Sequence, residues 1–208
     1  PFYICGLEDR DKNVWLFGEE SHFFEQAFNS ELRRSLDTAD IGTLIRLSPR
    51  TNTVKVFFSG KGSEPADQPE GSAEFQVIYE DRFGRLWFGS QEGYVYLYDS
   101  RNGEWTRHDI EKSLISQQRL IAKRLYDDDH QPFPSSVAFS VESICEDAAG
   151  RVLFGTPSGL VVLDEARAQW DQYVPENSGL SAQVILCVYR DKSSRIWLGT
   201  AYGVMVLE

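Results

Sequence analysis

Several groups of residues have types and spacings that could do chemistry. Asp9, Asp11 and Asn13, with Glu20 at the twelfth position, share the spacing of a calcium loop, whose side-chain oxygens close around a cation. The glycine such a loop needs at its sixth position is missing, and Val14 and Trp15 continue as a strand, so a structural turn is expected. Asp127, Asp128 and Asp129, followed by His130, could bind a divalent ion, but a run of like charges is more simply a solvated surface. The stretch GTPSG at 155–159 lacks the G-x-S-x-G order of a nucleophile elbow, and Pro157 places it in a hairpin turn. His22, His108 and His130 show no paired ligand spacing and are expected at the surface. No glycine-rich phosphate loop links a strand to a helix. These residues yield no catalytic, metal-ligating or cofactor-binding assignment, and no cofactor is expected.

The elements around these residues repeat. An aspartate recurs at Asp9, Asp81, Asp147 and Asp191, with spacings of 72, 66 and 44 residues. Six residues after each comes a large apolar residue, Trp15, Trp87, Leu153 or Trp197, and a glycine follows at Gly18, Gly89, Gly155 and Gly199. In the last three copies a second glycine lies four residues on, at Gly93, Gly159 and Gly203, leading into the alternating stretches YVYLYD, LVVLD and VMVLE. The aspartate can accept backbone N–H groups two residues on, and a glycine can supply the positive φ that closes a hairpin. Stacking on a sugar is one possible use of the tryptophans. Their recurrence at one position of each unit favours a core role between neighbouring units, with Trp87 and Trp197 largely buried.

A unit of about 44 residues with four antiparallel strands has the size of one β-propeller blade. The prediction is an all-β chain of about four such blades, over about 1–58, 74–106, 140–175 and 182–208. Opening strands are expected near 3–8, 76–80, 142–146 and 184–190, and the last copy stops one strand short. Two insertions interrupt the units, at about 19–41 and 107–139. The first carries Phe24, Phe28, Leu32 and Leu36 spaced by four, and the second carries Ile110, Leu114, Ile121 and Leu125 on one face. Helices are therefore predicted near 22–36 and 109–126, as cover for sheet edges or as a partner contact.

Bulk composition is consistent with this. Hydrophobic residues make up 41% and aromatics 13%, with one methionine, Met205, which suits strand packing. A net charge of −11 argues against a nucleic-acid surface. Cys5, Cys145 and Cys187 lie far apart in apolar contexts and are expected to be buried free thiols. No apolar run approaches the roughly 18 residues of a membrane helix. Pro1 stands where an initiator Met would be, so the chain reads as a piece of a larger protein.

The pattern D-x-x-G-R-(L/V)-(W/L)-F-G-(S/T)-x-x-G-(Y/L)-V, with the lead-in NSGLSAQVILCVYRD at 177–191, resembles the two-component regulator propeller repeat. Copy one departs from it, with Asn13 where the others have Arg and one extra residue before its glycine. The resemblance implies a non-catalytic sensor propeller, periplasmic or extracellular, in a membrane-anchored histidine kinase or related signalling protein. Such a module would bind an unknown small molecule, a glycan or a partner protein, and would signal to an output domain outside this chain. An extracellular scaffold propeller and a streptogramin-lyase-like enzyme are the alternatives. Candidate ligand contacts are Phe23 and Phe24 in the first insertion and Tyr94 and Tyr202 beside the hairpin glycines. The ring is expected to be larger than four blades, completed by further sequence or by a second copy in a homodimer.

Overall fold

The computed structural model describes residues 4–18, 43–58, 75–119 and 138–207. Short apolar runs broken by turn residues fold there into fifteen strands in four antiparallel sheets. The first sheet runs β1 (Ile4–Glu8), β2 (Val14–Gly18), β3 (Thr43–Ser48) and β4 (Thr53–Phe58). The second runs β5 (Phe75–Glu80), β6 (Leu86–Ser90), β7 (Tyr94–Asp99) and β8 (Glu104–Asp109). The third runs β9 (Ser143–Glu146), β10 (Val152–Thr156), β11 (Gly159–Asp164) and β12 (Gln169–Tyr173). The last sheet has three strands, β13 (Ile185–Arg190), β14 (Ile196–Thr200) and β15 (Gly203–Leu207). Each sheet is a simple meander, with neighbours in sequence paired in space.

The sheets pack face to face in chain order, because each strand alternates between two apolar faces. Trp15, Phe17, Leu44 and Phe57 of the first sheet meet Ile78, Leu86, Phe88, Tyr96 and Tyr98 of the second. Trp87 and Val95 on the other face of the second sheet meet Ile144, Val152, Phe154, Val161 and Trp170 of the third. Cys145, Leu153, Leu160 and Val162 then meet Val188, Ile196 and Leu198 of the fourth. Aromatic rings fill the first two joints, mostly edge to face, as with Trp15 and Phe88 at 5.7 Å and Trp87 and Phe154 at 6.0 Å. The opening strands β1, β5, β9 and β13 touch from sheet to sheet, so the sheets converge along them. Gly89 lies at one such convergence, where an added Cβ would sit 2.5 Å from Val141 Cγ1.

A helix, α1 (Ile110–Ser116), follows β8. Asp109 caps it by accepting from the Lys112 backbone N–H at 2.9 Å. Ile110 and Leu114 are fully buried against the joint between the second and third sheets. The helix is shorter than the predicted 109–126. Gln118 turns left-handed at φ 56°, and its N–H and that of Arg119 bond back to Ile115 O and Leu114 O. That is a Schellman stop, here built on glutamine in place of glycine. Residues 120–126 and the helix expected at 22–36 lie outside the described residues, as do His22, His130 and the acidic run at 127–129.

Three expectations about single residues are corrected. Trp87 is fully buried, but Trp197 is only partly buried, because among the described residues no sheet covers its side of the fourth sheet. Cys187 is exposed on that same side, whereas Cys145 is buried. His108 is half-buried between Trp87 and Trp170 and is not a surface residue. The Cys5 side chain lies outside the described set.

Candidate functional site

The aspartates with chemical promise are occupied by their own turns. Asp81 Oδ1 accepts the backbone N–H groups of Phe83 and Arg85 at 2.9 and 3.0 Å. Its Oδ2 accepts Arg85 Nε at 2.7 Å and the Trp87 indole Nε1 at 3.1 Å. Asp191 repeats the arrangement with Ser193, Arg195 and Trp197, and Asp147 repeats it with Arg151, its apolar partner being Leu153. In copy one Asn13 takes the arginine's place, donating to Asp9 Oδ2 at 2.9 Å beside the Trp15 indole at 2.8 Å. Asp9, the first residue of the calcium-like spacing, thus has both carboxylate oxygens committed to donors. Glu20, its last residue, lies outside the described set. The indole of Trp197 and then the Arg195 guanidinium hold the Asp191 carboxyl down at about 2. In every copy the fourth turn residue, Lys12, Gly84, Gly150 or Ser194, has positive φ.

These turns also fasten one sheet to the next. The residue after the turn aspartate reaches forward to the residue before the next one. Arg10 Nε donates to Glu80 Oε1 at 2.6 Å and its backbone N–H to Glu80 Oε2 at 3.1 Å. Arg82 pairs in the same way with Glu146, which is buried, and its backbone N–H bonds Glu146 Oε2 at 2.9 Å. At the third joint the donor changes sides. Ala148 has nothing to offer, and Arg190 reaches back to Asp147 O at 2.9 Å.

The GTPSG stretch is a hairpin turn. Thr156 Oγ1 donates to Gly159 O at 2.8 Å and accepts from the Ser158 N–H at 3.1 Å, so Ser158 is a buried turn residue. Burial lowers the pKa of His108. Burial pushes the Cys145 thiol up to about 12, which leaves it a packing group and a poor nucleophile.

The hairpin end of the sheets, opposite the aspartate turns, is less committed to structure. Tyr202 is 89% exposed there. Tyr94 is half-buried, with Arg107 Cζ 5.1 Å from its ring centre and Tyr96 against its edge, so part of it belongs to the joint with the first sheet. The two tyrosines share an end of the molecule, but the third sheet stands between theirs. Phe23 and Phe24 lie outside the described residues. At this same end, a cluster absent from the expectations sits where the chain enters β9. Val141 N–H bonds Ser90 O and Glu142 N–H bonds Gly155 O, at 3.0 and 2.9 Å, which pins the crossing between two sheets. Ser140 Oγ then donates to Glu142 Oε1 at 2.8 Å, with Gln76 Oε1 3.5 Å away. Gln76, Ser140 and Glu142 form a polar group beside the line of convergence, suited to hydrogen-bonding a polar ligand. No local motif announces them, since they meet only through the sheet-to-sheet crossing.

The four meanders, converging on their opening strands and pinned turn to turn, are β-propeller blades. The family model of the two component regulator propeller matches residues 69–92 and 179–202. No curated protein matches it. Among solved structures it is similar to two extracellular domains from B. thetaiotaomicron, described as belonging to a hybrid two component system and a one component system. The first is 13% identical with a TM-score of 0.62, and the chain covers 99% of itself and 23% of that domain. The second is 17% identical with a TM-score of 0.59, over 99% of this chain and 21% of that one. It is also similar to a catalytically inactive virginiamycin B lyase from Staphylococcus aureus, at 9% identity and a TM-score of 0.55, over 99% and 55% of the two chains. The chain thus spans about a fifth of the two extracellular domains. At these identities the likeness speaks for the fold.

Proposed function

We propose that the chain is a non-catalytic, extracytoplasmic sensor module of a two-component or related signalling protein. It binds a small polar molecule, a glycan or a partner protein and signals to an output domain outside this chain. The observation that carries this reading is the two component regulator propeller repeat at residues 69–92 and 179–202. The residues that looked reactive support it, because each turn aspartate is spent on backbone donors, on an arginine or (at Asp9) an asparagine side chain and, where present, on an indole. Gln76, Ser140 and Glu142 are the ligand contacts we favour, with Tyr202 at the rim.

A lyase-type reading draws on the fold shared with virginiamycin B lyase. It would need a histidine beside an acid near the opening strands. The one histidine among the described residues, His108, lies on β8, the outermost strand of its sheet, between two tryptophans. A scaffold propeller with no small ligand is the other alternative. Titration with a panel of oligosaccharides and small polar compounds, followed by mass spectrometry of each compound, separates the three. The sensor reading expects saturable binding, weakened by Glu142→Ala, with the compound recovered unchanged. Conversion of the compound would favour an enzyme, and no binding across the panel a scaffold.

A further inference from the structure

Copy one treats its indole differently from copies two and four. In those copies the arginine four residues after the turn aspartate lies against the indole, with Arg85 Cζ 5.6 Å from the Trp87 ring centre and Arg195 Cζ 5.3 Å from that of Trp197. Each guanidinium is held by its turn aspartate, Nε to Oδ2 at 2.7 Å in both. Copy one has Asn13 at that position, and Asp9 Oδ2 is filled by the Asn13 amide and the Trp15 indole. The cation against Trp15 comes from β3 instead. Arg46 Cζ is 5.6 Å from the Trp15 ring centre and 5.8 Å from that of Phe57. No carboxylate comes with it. Arg46 is partly buried with no acidic partner among the described residues, and its Nε is buried without an acceptor. Lys55, its cross-strand neighbour, is exposed and likewise unpaired among the described residues, with Nζ 4.7 Å from the Phe57 ring centre.

Packing between sheets does not ask for cations there. Strand register places Arg46 where the second and third sheets have Leu97 and Val162, and Lys55 where they have Thr106 and Asp171. Both cations stand at the outer end of the joint between the first two sheets, where Trp105 of β8, partly buried, lies 5.7 Å from Phe57. A guanidinium N–H buried without an acceptor is costly, and a carboxylate is the acceptor that meets it best. Asp81 and Asp191 supply one to the arginines on their indoles, whereas Arg46 must receive one from outside the repeat. We propose that Arg46 and Lys55 hold the carboxylate of a small ligand whose six-membered ring lies against the exposed part of Trp105. This site is on the outer strands of the first sheet, apart from Gln76, Ser140 and Glu142 beside the line of convergence, and does not depend on them.

An NMR titration tests this, with the Trp15 indole N–H as reporter and two matched pairs as probes, glucuronate with glucose and benzoate with benzamide. Within each pair the ring is kept and the charge removed. At least one acid should bind saturably and shift Trp15 while its neutral partner does not, and which acid binds tells whether the ring is a sugar or an arene. Arg46→Gln should weaken that binding about tenfold or more, since it removes a charge-assisted bond. Lys55→Gln should weaken it severalfold, and its exposed position keeps the fold should Arg46→Gln disturb it. Arg50→Gln removes another exposed cation of the same sheet and should leave binding unchanged. Failure of both acids to bind at about 10 mM would overturn the proposal, as would equal binding of acid and neutral partner. So would Arg50→Gln weakening binding as much as Lys55→Gln, the result expected of a diffuse positive field.

Discussion

Trp87 and Trp197 occupy one position of the repeat and accept one kind of partner, yet they differ in cover. Trp87 is fully buried between two sheets, so Trp87→Ala removes a whole aromatic side chain from a packed joint and should cost about 3–5 kcal/mol. Trp197 is partly exposed, and Trp197→Ala should cost about 1–2 kcal/mol. Urea denaturation of both variants at low concentration checks the order. Equal costs would mean that the two environments are alike. His108 adds a pH term. Burial between Trp87 and Trp170 lowers its folded pKa below the ordinary 6.5, so the unfolded chain takes up the proton first as pH falls. Its contribution is complete above about pH 6.5 and is lost as pH drops from there through the folded value. His108→Phe should flatten the stability curve just below pH 6.5, and an unchanged slope would contradict the assignment.

At the scale of elements, the joints combine apolar faces with charged clasps, and the clasps differ in burial. Arg82→Ala leaves the buried Glu146 carboxylate without its guanidinium and should cost about 2–3 kcal/mol. Lys192→Ala removes an exposed side chain with no ion-pair partner among the described residues and should stay within about 0.5 kcal/mol. Chemical denaturation of the two variants side by side gives the comparison. The strands were legible in the sequence because period-two alternation, the aspartate spacing and the +6 tryptophan all point to one register. The end of α1 was not. Ile121 and Leu125 continued the apolar spacing, and no glycine or proline marked the stop that Gln118 makes in a left-handed turn. Gln76, Ser140 and Glu142 were equally hidden, since a crossing between sheets brings them together and no spacing within one strand encodes that.

At the scale of the whole molecule, the repeat explains both what the chain displays and what it lacks. Each turn aspartate positions an indole or an arginine, the indoles of Trp15 and Trp87 fill joints, and each joint sets the next sheet against the line of convergence. The exposure of Trp197 and Cys187 depends on what stands beyond the fourth sheet, so local sequence could not report it. The four turn aspartates are structural, each carboxylate committed to donors of its own turn. Hydrogen exchange of the tryptophan indole N–H groups, followed by NMR, tests it most directly. Trp15 and Trp87, each bonded to its turn aspartate and buried, should exchange far more slowly than a free indole, and Trp197, bonded but partly exposed, at an intermediate rate. Exchange of Trp87 at the rate of an unfolded chain would show that the Asp81 carboxylate is not its partner, and would contradict the account.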